Sequence, residues 1–483
     1  MKDQNAPLRV IIIGGAVSGL TLAHCMEAAG IDYVVLEKHN DICTNIGGSL
    51  ALQPHGARVL DQLGLFEQLE KLTNDITKFH TCNYDDMHTS LFPTWTMESL
   101  GYPMTVLRRT NFLRTVYNAL KDQSRIKTGT KVVRIRANPT VDAPLIVETE
   151  VGTQYTGDVI VGADGVHSIT RSEMWRIMNE QQPGLLTEKE KGRMTVDYMC
   201  IFGISTPSRS LFPPGEQVNR FQKDVAVFIL HGHDGTVSWF INIKLDKRYV
   251  MPHVPSWSRE ETRTRGEKLA GLHLLDGVYF RDVWKSAETI SSTPVYEGMF
   301  QVRTFGRIAC IGDSSFKVSP DLAHGANLAI ESAAAISNTL HRINMSINTL
   351  NRRPTNADVE EALTEWARSC QYRLTETNIY SRFVTKAGVH HSFVHRVLHR
   401  AAMQYTLDVQ FHRYMTILNK GRTLDFLPFP DRGRDAWEKY KGAGTMRTVC
   451  AAAFFPVGLI LSIFSVFREV VIFPSKEEKK ALM

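Results

Sequence analysis

Cysteine is scarce in this chain and does not cluster. Seven cysteines, at positions 25, 43, 82, 200, 310, 370 and 450, are scattered over 483 residues with no Cys-x-x-Cys pair. An odd, dispersed set argues against a disulfide framework or a zinc site and fits a reducing compartment. No block of like charge dominates: 56 Lys and Arg face 50 Asp and Glu, a net charge of +6 that gives no indication of nucleic-acid binding. There is no Ser/His/Asp array and no His-Glu-x-x-His motif. His390, His391, His395 and His399 lack an accompanying carboxylate constellation and read as helix-surface histidines rather than as a metal site. The opening MKDQNAPLRVIII is too polar, and its apolar run too short, for a secretory signal. With 43% hydrophobic and 22% charged residues the composition is globular, which excludes a disordered, collagen-like or polytopic membrane chain. Long apolar runs are missing too, with the one exception of residues 448–467.

The first forty residues carry a specific pattern. Leu8 to Ile13 (LRVIII) suits a strand buried on both faces. Gly14-Gly15-Ala16-Val17-Ser18-Gly19 follows, then a helix over Leu20–Ala29 that Gly30 would cap. Tyr33–Glu37 reads as a second buried strand ending in an acid. A glycine turn lets backbone approach a pyrophosphate, and a helix N-terminus offers unpaired N–H groups and the positive end of its dipole. An acid at the end of the second strand accepts from a ribose hydroxyl. Gly14 and Glu37 lie 23 positions apart, close to the roughly 20 of a dinucleotide-binding unit. Ala16 departs from the pattern, because it stands at the second glycine of G-x-G-x-x-G.

Two later segments belong with this unit. In Gly157–Ser168 (GDVIVGADGVHS) an apolar strand ends in an Ala-Asp-Gly turn at Asp164, with Arg171 just beyond. In Arg307–Asp313 another buried strand ends in Gly312-Asp313, followed by SSFKVSPDLAHGAN and a helix over Leu328–Leu340. A strand that delivers a carboxylate, then a Pro/Gly loop, then a helix start, can hold a polyhydroxyl chain and the edge of a ring.

In this order, GGAVSG with Glu37, GDVIVGADGVHS and GDSSFKVSPDLAHGAN resemble the three fingerprints of class A FAD-dependent monooxygenases. More narrowly, GGSLALQPHGARVLDQLGLFEQL, LGYPMTVLRRTNFL and VDYMCIFGIS resemble fungal FAD-dependent monooxygenases and epoxidases of meroterpenoid and indole-diterpene (paxilline-type) biosynthesis. The resemblance covers roughly residues 8 to 390. It implies an α/β fold with a Rossmann-like FAD-binding domain of the class A flavoprotein monooxygenase type and an interleaved antiparallel-sheet substrate domain; the C-terminal sequence adds the expectation of a helical tail with a membrane helix. It implies that Gly14, Gly15, Ala16, Gly19 and Asp164 belong to the cofactor cradle and that Glu37 holds the adenosine ribose. Ala51 would lie near the FAD, Arg109 near its phosphates or ring edge, Asp313 on the ribityl chain and Ala326 with its N–H near the ring. Tyr198 is the candidate catalytic tyrosine. Phe316 stands where many relatives have histidine, and Ala323-His324 where Gly-Gln is common.

Between about 195 and 300 the pattern changes to alternating strands, with a hairpin of Val225–Leu230 and Val237–Ile243. Its sheet would wall a substrate pocket, while Phe228, Trp239 and Phe240 read as core. The expected organisation is an FAD-binding domain of residues 1–178 and 301–345, a sheet of 179–300, a helical region of 346–447 and a transmembrane helix of 448–467. That last run, TVCAAAFFPVGLILSIFSVF, carries no charge, and twenty helical residues span roughly 30 Å. It suggests a single-pass protein of the endoplasmic reticulum with its catalytic part in the cytosol.

The resemblance further implies that NADPH reduces FAD. Dioxygen activated there would then epoxidise a farnesyl or geranylgeranyl olefin of a hydrophobic prenylated substrate before cyclisation, in functional coupling to a membrane terpene cyclase. Two alternatives stay open: an aromatic hydroxylase of the kynurenine-monooxygenase type, and a non-catalytic flavoprotein-like scaffold.

Overall fold

The computed structural model describes residues 7–43, 48–83, 86–91, 100–137, 142–207, 211–232, 235–350, 352–396, 399, 414–433 and 437. Strand β1 (Arg9–Ile13) lies inside a six-stranded sheet, between Val159–Gly162 and β2 (Asp32–Leu36). These pairings are parallel, as are those of Val159–Gly162 with Ile308–Cys310 and of β2 with Ile126–Lys127, while the edge strand Thr304–Phe305 joins Ile308–Cys310 antiparallel. Val10 to Ile13 are buried, because helices and a small antiparallel sheet cover the two faces. Helix α1 (Val17–Ala29) starts three residues earlier than Leu20, so Ser18 and Gly19 lie in its first turn. A Cβ on Gly19 would sit 1.9 Å from the Gly14 carbonyl oxygen, so only glycine lets the turn close onto the strand end. Gly30, at φ +64°, ends the helix as expected.

The helix foreseen over Leu328–Leu340 is longer, running from His324 to Leu350. It shares one buried core with α1, and the helix Asn356–Gly388 follows it. A buried bidentate pair joins these layers: Arg373 Nε and Nη2 donate to the two Glu331 oxygens at 3.1 and 3.0 Å. The same guanidinium also donates to the Ile417 carbonyl.

The second body is an eight-stranded sheet centred on Thr195–Ser205, Val237–Val250 and Val225–His231. The foreseen hairpin is there, with Val227 opposite Ile241. Lys78–Asn83 and Asp86–Leu91 extend this sheet from an earlier part of the chain. Alternation divides the aromatics. Trp239 packs with Val237, Ile241 and Phe280, whereas Phe228 and Phe240 point to the opposite face. The reading as core holds for Trp239 and Phe228, which are buried, while Phe240 is partly buried; Phe228 and Phe240 also line a cavity on that other face.

The histidine run differs from expectation. His390 and His399 are buried rather than on a helix surface, with His399 against the Phe221 ring at 4.8 Å. The chain turns inward after Gly388, and sequence spacing did not show that. Among the described residues no group of three or more His, Cys, Asp or Glu is arranged to hold a metal. Among them, too, no helix is long and apolar enough to cross a membrane. The run 448–467 lies outside the described residues.

His55 and His324 are fully buried, with ring centroids 5.3 Å apart and no hydrogen-bond partner at any ring nitrogen. Burial holds His324 down to about 3 and His55 well below the ordinary imidazole value. Unfolding returns each to about 6.5, so between those values the unfolded chain binds more protons and stability falls as pH falls. The expected loss is up to about 1.4 kcal/mol per pH unit for each imidazole. Urea midpoints measured at about pH 7.5 and about pH 5.5 should therefore diverge, and less so in His324→Leu. An equal divergence in that variant would contradict the assignment.

Candidate active site: a dinucleotide cleft opening onto an apolar pocket

The carboxyl ends of β1, β2 and Val159–Gly162 face a cavity of about 730 Å³, within the range of about 300–1,000 Å³ that cofactor sites occupy. Gly14, Gly15, Ala16, Glu37, Arg109, Asp164, Asp313 and Ala326 all line it. The structure thus brings eight of the sequence-derived site residues together. Gly19 lies behind them, in the first turn of α1. Ala51 lines a neighbouring cavity instead, and Tyr198 lines neither.

Each group has its own setting. The Glu37 carboxylate accepts from the Gly15 N–H at 2.7 Å and the His39 N–H at 2.9 Å. A carboxylate has about four lone-pair positions, so acceptor capacity remains for a hydroxyl. Arg109 is a desolvated cation; burial lowers its pKa, while Asp313 and Glu37 work in the other direction. Asp313 sits in the turn Gly312–Ser314 and is paired with Lys317. Asp164 is spent on its own loop. One oxygen accepts from the Ser168 hydroxyl at 2.5 Å, and the other from the Thr170 N–H and hydroxyl at 3.0 Å. Burial raises its pKa against these hydrogen bonds. Arg171 then ties two turns together by donating to the Val166 and Ser314 carbonyls at 2.8 and 2.7 Å.

A second cavity of about 300 Å³ adjoins the first. Leu50, Lys317, Gly325 and Ala326 line both, so the two meet at these residues. Its wall is mostly apolar and aromatic, with Met104, Val106, Phe202, Phe228, Leu230 and Phe240. Asn327 fixes the boundary between the cavities. Its Oδ1 accepts from the Gln53 N–H at 2.9 Å, and its Nδ2 donates to the Ala51 and Ala323 carbonyls at 2.8 and 2.9 Å. Ala323 has φ +52°, a region that favours glycine and costs an alanine about 1–2 kcal/mol. That alanine stands where the resembled family commonly has glycine. Tyr198 is fully buried, and its hydroxyl meets His391 Nδ1 at 3.1 Å. Cys200, two residues on along the same face, lines the smaller cavity.

The cradle fits an FAD. A Cβ on Gly14 would lie 2.5 Å from the Ala163 oxygen, so backbone lines the cavity where a side chain would close it. Helix α1 has no side-chain cap and no acid in its first turn, so its N–H groups are left for an anion. Glu37, Arg109 and Asp313 supply the acceptor, the cation and the second acceptor that a ribose, a phosphate and a ribityl chain require. Sequence reasoning missed Lys317, Asn327 and the role of Arg171. Asn327 gave no signal because its partners Gln53 and Ala51 lie far away in the chain, whereas the pairing of Lys317 with Asp313, four residues before it, was open to a local reading.

Comparison with known proteins places this geometry. An FAD binding domain family model matches residues 7–190. The FAD-dependent monooxygenase spyC of Aspergillus fumigatus is 37% identical over 452 residues, 93% of this chain and 94% of the relative. The FAD-dependent monooxygenase paxM of Penicillium paxilli is 36% identical, covering 91% of each chain. Among solved structures, a salicylate hydroxylase substrate complex has a TM-score of 0.63 at 16% identity, covering 89% of this chain and 97% of that one. Klebsiella pneumoniae HpxO complexed with FAD and uric acid has a TM-score of 0.61, also at 16% identity, covering 86% and 93%. These two show the shared fold.

The two acids separate by role. Asp313→Ala should yield protein that loses FAD on gel filtration while folding normally. Asp164→Ala should retain FAD but lose about 1–2 kcal/mol of stability, the scale of a lost cap. Flavin absorbance and a thermal melt on each variant check both, and normal flavin content in Asp313→Ala would contradict the placement.

Proposed function

The chain belongs to the FAD-dependent monooxygenases, and on that premise we propose that it epoxidises a prenyl olefin of a meroterpenoid or related secondary metabolite before cyclisation. NADPH is the proposed electron donor. The observation that carries the reading is the smaller cavity: an apolar, aromatic-walled space that shares Leu50, Lys317, Gly325 and Ala326 with the cofactor cleft. An apolar chain laid there loses water contact on binding, which favours it by about 25 cal/mol per Å² of surface buried.

When bound, FAD supplies the activation of dioxygen. The protein does the rest. Gly14, Gly15 and the first turn of α1 receive the pyrophosphate, with Glu37 and Asp313 on the two sugar-like chains. Gly325 and Ala326 offer backbone at the junction of the cavities. Phe202, Phe228 and Phe240 orient an apolar substrate and exclude water from the place where oxygen is transferred. Tyr198 bounds this chamber from behind Cys200 and serves it by packing.

We also propose that residues 448–467 anchor the enzyme in the endoplasmic reticulum membrane. The anchor would put the chamber near a bilayer in which a prenylated substrate partitions and in which a terpene cyclase would take the product.

Two measurements test this. Full-length protein with FAD and NADPH should add one oxygen atom to a farnesylated or geranylgeranylated aromatic, detected by mass spectrometry; activity on kynurenine alone would overturn the reading. The full chain should sediment with microsomes, and a chain ending after residue 440 should stay in the supernatant. Sedimentation of both would remove the anchor.

A further inference from the structure

One carboxyl in the smaller cavity has no part in the reading above. Asp321 lies in the loop before His324 and lines the apolar chamber. The residue is half-buried, and protein encloses its carboxyl. Its Oδ1 accepts from Asn242 Nδ2 at 3.0 Å, and its Oδ2 from the Thr385 hydroxyl. The contacts continue inward. Thr385 Oγ1 lies 2.6 Å from the Ser319 hydroxyl, and Ser319 lies 2.7 Å from the Ser381 hydroxyl. Ser319, Ser381 and Thr385 are all fully buried. Next to Ser319 is Glu297, whose buried Oε1 has no hydrogen-bond partner and whose Oε2 accepts from Arg382 Nε at 3.3 Å. The Arg382 side chain reaches the surface, being 31% exposed against 1% for Glu297.

We propose that Asp321 is a proton-carrying acid of the substrate chamber, reloaded from the surface at Glu297 and Arg382 through the hydroxyls of Thr385 and Ser319. Hydroxyl groups suit the task because each both donates and accepts, so a proton enters on one side as another leaves on the other. Burial raises the pKa of Asp321 and of Glu297, and Asp321 adds to the rise at Glu297. The charges around them come from every packed element. Strand Thr195–Ser205 brings Asp197, which Arg248 on Val237–Val250 pairs at 2.8 Å. Helix Asn356–Gly388 brings Arg382 and Lys386, which lower Asp197 in turn. Tyr198 and Cys200 are neutral, with their pKa values pushed up, and that of His391 is pushed down. Lys317 is committed to Asp313. None of these cations donates to Asp321, which is left with two neutral donors. Filling the chamber with an apolar molecule would displace water from its exposed edge and favour the neutral acid further.

The chemistry needs such a group. Inserting one atom of dioxygen into an alkene and releasing the other as water takes up two electrons and two protons. The nicotinamide hydride brings the electrons and one of the protons to the flavin, and the second proton has to enter a chamber from which water is excluded. Asp321 delivers that proton to the oxygen atom that leaves as water, and its carboxylate is reprotonated through Thr385. This use of the proton rests on the smaller cavity being the substrate chamber. The protonation of Asp321 itself does not.

Infrared difference spectroscopy on the full-length, FAD-loaded protein reads the acid directly. At neutral pH a protonated-carboxyl C=O band should be present and should vanish in Asp321→Asn. Transfer into heavy water should shift that band rapidly in the wild type, about tenfold or more slowly in Thr385→Val, and at the wild-type rate in Thr385→Ser. Asp321→Asn should keep its FAD and lose about 10²-fold in product formation. Absence of the band, or equal exchange in Thr385→Val and wild type, would overturn the proposal whatever the substrate proves to be. The Thr385 pair decides the matter even if Asp321→Asn fails to fold.

Discussion

The cofactor cleft depends on backbone touching backbone at the carboxyl edge of the parallel sheet. Three turns meet there: Gly14–Gly19, Ala163–Gly165 and Gly312–Ser314. A Cβ on Gly14 would lie 2.5 Å from the Ala163 oxygen, one on Gly19 1.9 Å from the Gly14 oxygen, and one on Gly312 2.2 Å from Ser18 Oγ. At Gly14 and Gly19 a side chain would collide with backbone and at Gly312 with the Ser18 hydroxyl, and Gly14 and Gly312 also hold positive φ values of 103° and 57°. Arg171 locks the arrangement by donating to the Ser314 carbonyl in the third turn and to the Val166 carbonyl just after the second. The cleft is a consequence of this convergence: strand ends that close together leave N–H groups and acids facing one space.

From that convergence the division of labour follows. The strand ends of the parallel sheet supply polar recognition through Glu37 and Asp313, the helix start after Thr105–Arg108 adds Arg109, and the large, mostly antiparallel sheet supplies an apolar wall. The loop Lys317–Ala326 belongs to both spaces. Asn327 binds it to the strand carrying Ala51, so the junction is built from hydrogen-bonded backbone groups rather than from a flexible side chain. Asp321 on the same loop connects the apolar wall to a buried row of hydroxyls.

Local signals in the sequence were enough for the parallel core. β1, α1, β2 and the two later strand ends each declare themselves by an apolar run, a glycine and an acid, and the structure brings Gly14, Glu37, Asp164 and Asp313 to one cavity. The hairpin around Val227 and Ile241 was legible for the same reason, since alternation and a turn are local. What was not legible is long-range. Nothing near Phe228 or Phe240 says that their face looks onto a cavity while that of Trp239 is sealed by Phe280 and Trp284. The burial of His390 and His399, the clasp made by Asn327 and the environment of Asp321 depend on partners scores to hundreds of positions away, or on a chain turn that no spacing encodes. Ala51 and Tyr198 had no local signal of their own and were placed by the family resemblance alone; the structure puts Ala51 on the neighbouring chamber and Tyr198, fully buried, on the lining of neither cavity.

The central claim is that one continuous space holds FAD at its polar end and an apolar substrate at the other. A crystal structure of the full-length protein with FAD and a prenylated aromatic ligand tests it most directly. The account predicts a pyrophosphate against Gly14 and the first turn of α1, a ribose on Glu37, the flavin ring at Gly325–Ala326 and the prenyl chain between Phe202, Phe228 and Phe240. A prenyl chain bound outside the smaller cavity, or a flavin ring turned away from the Gly325–Ala326 junction, would contradict it.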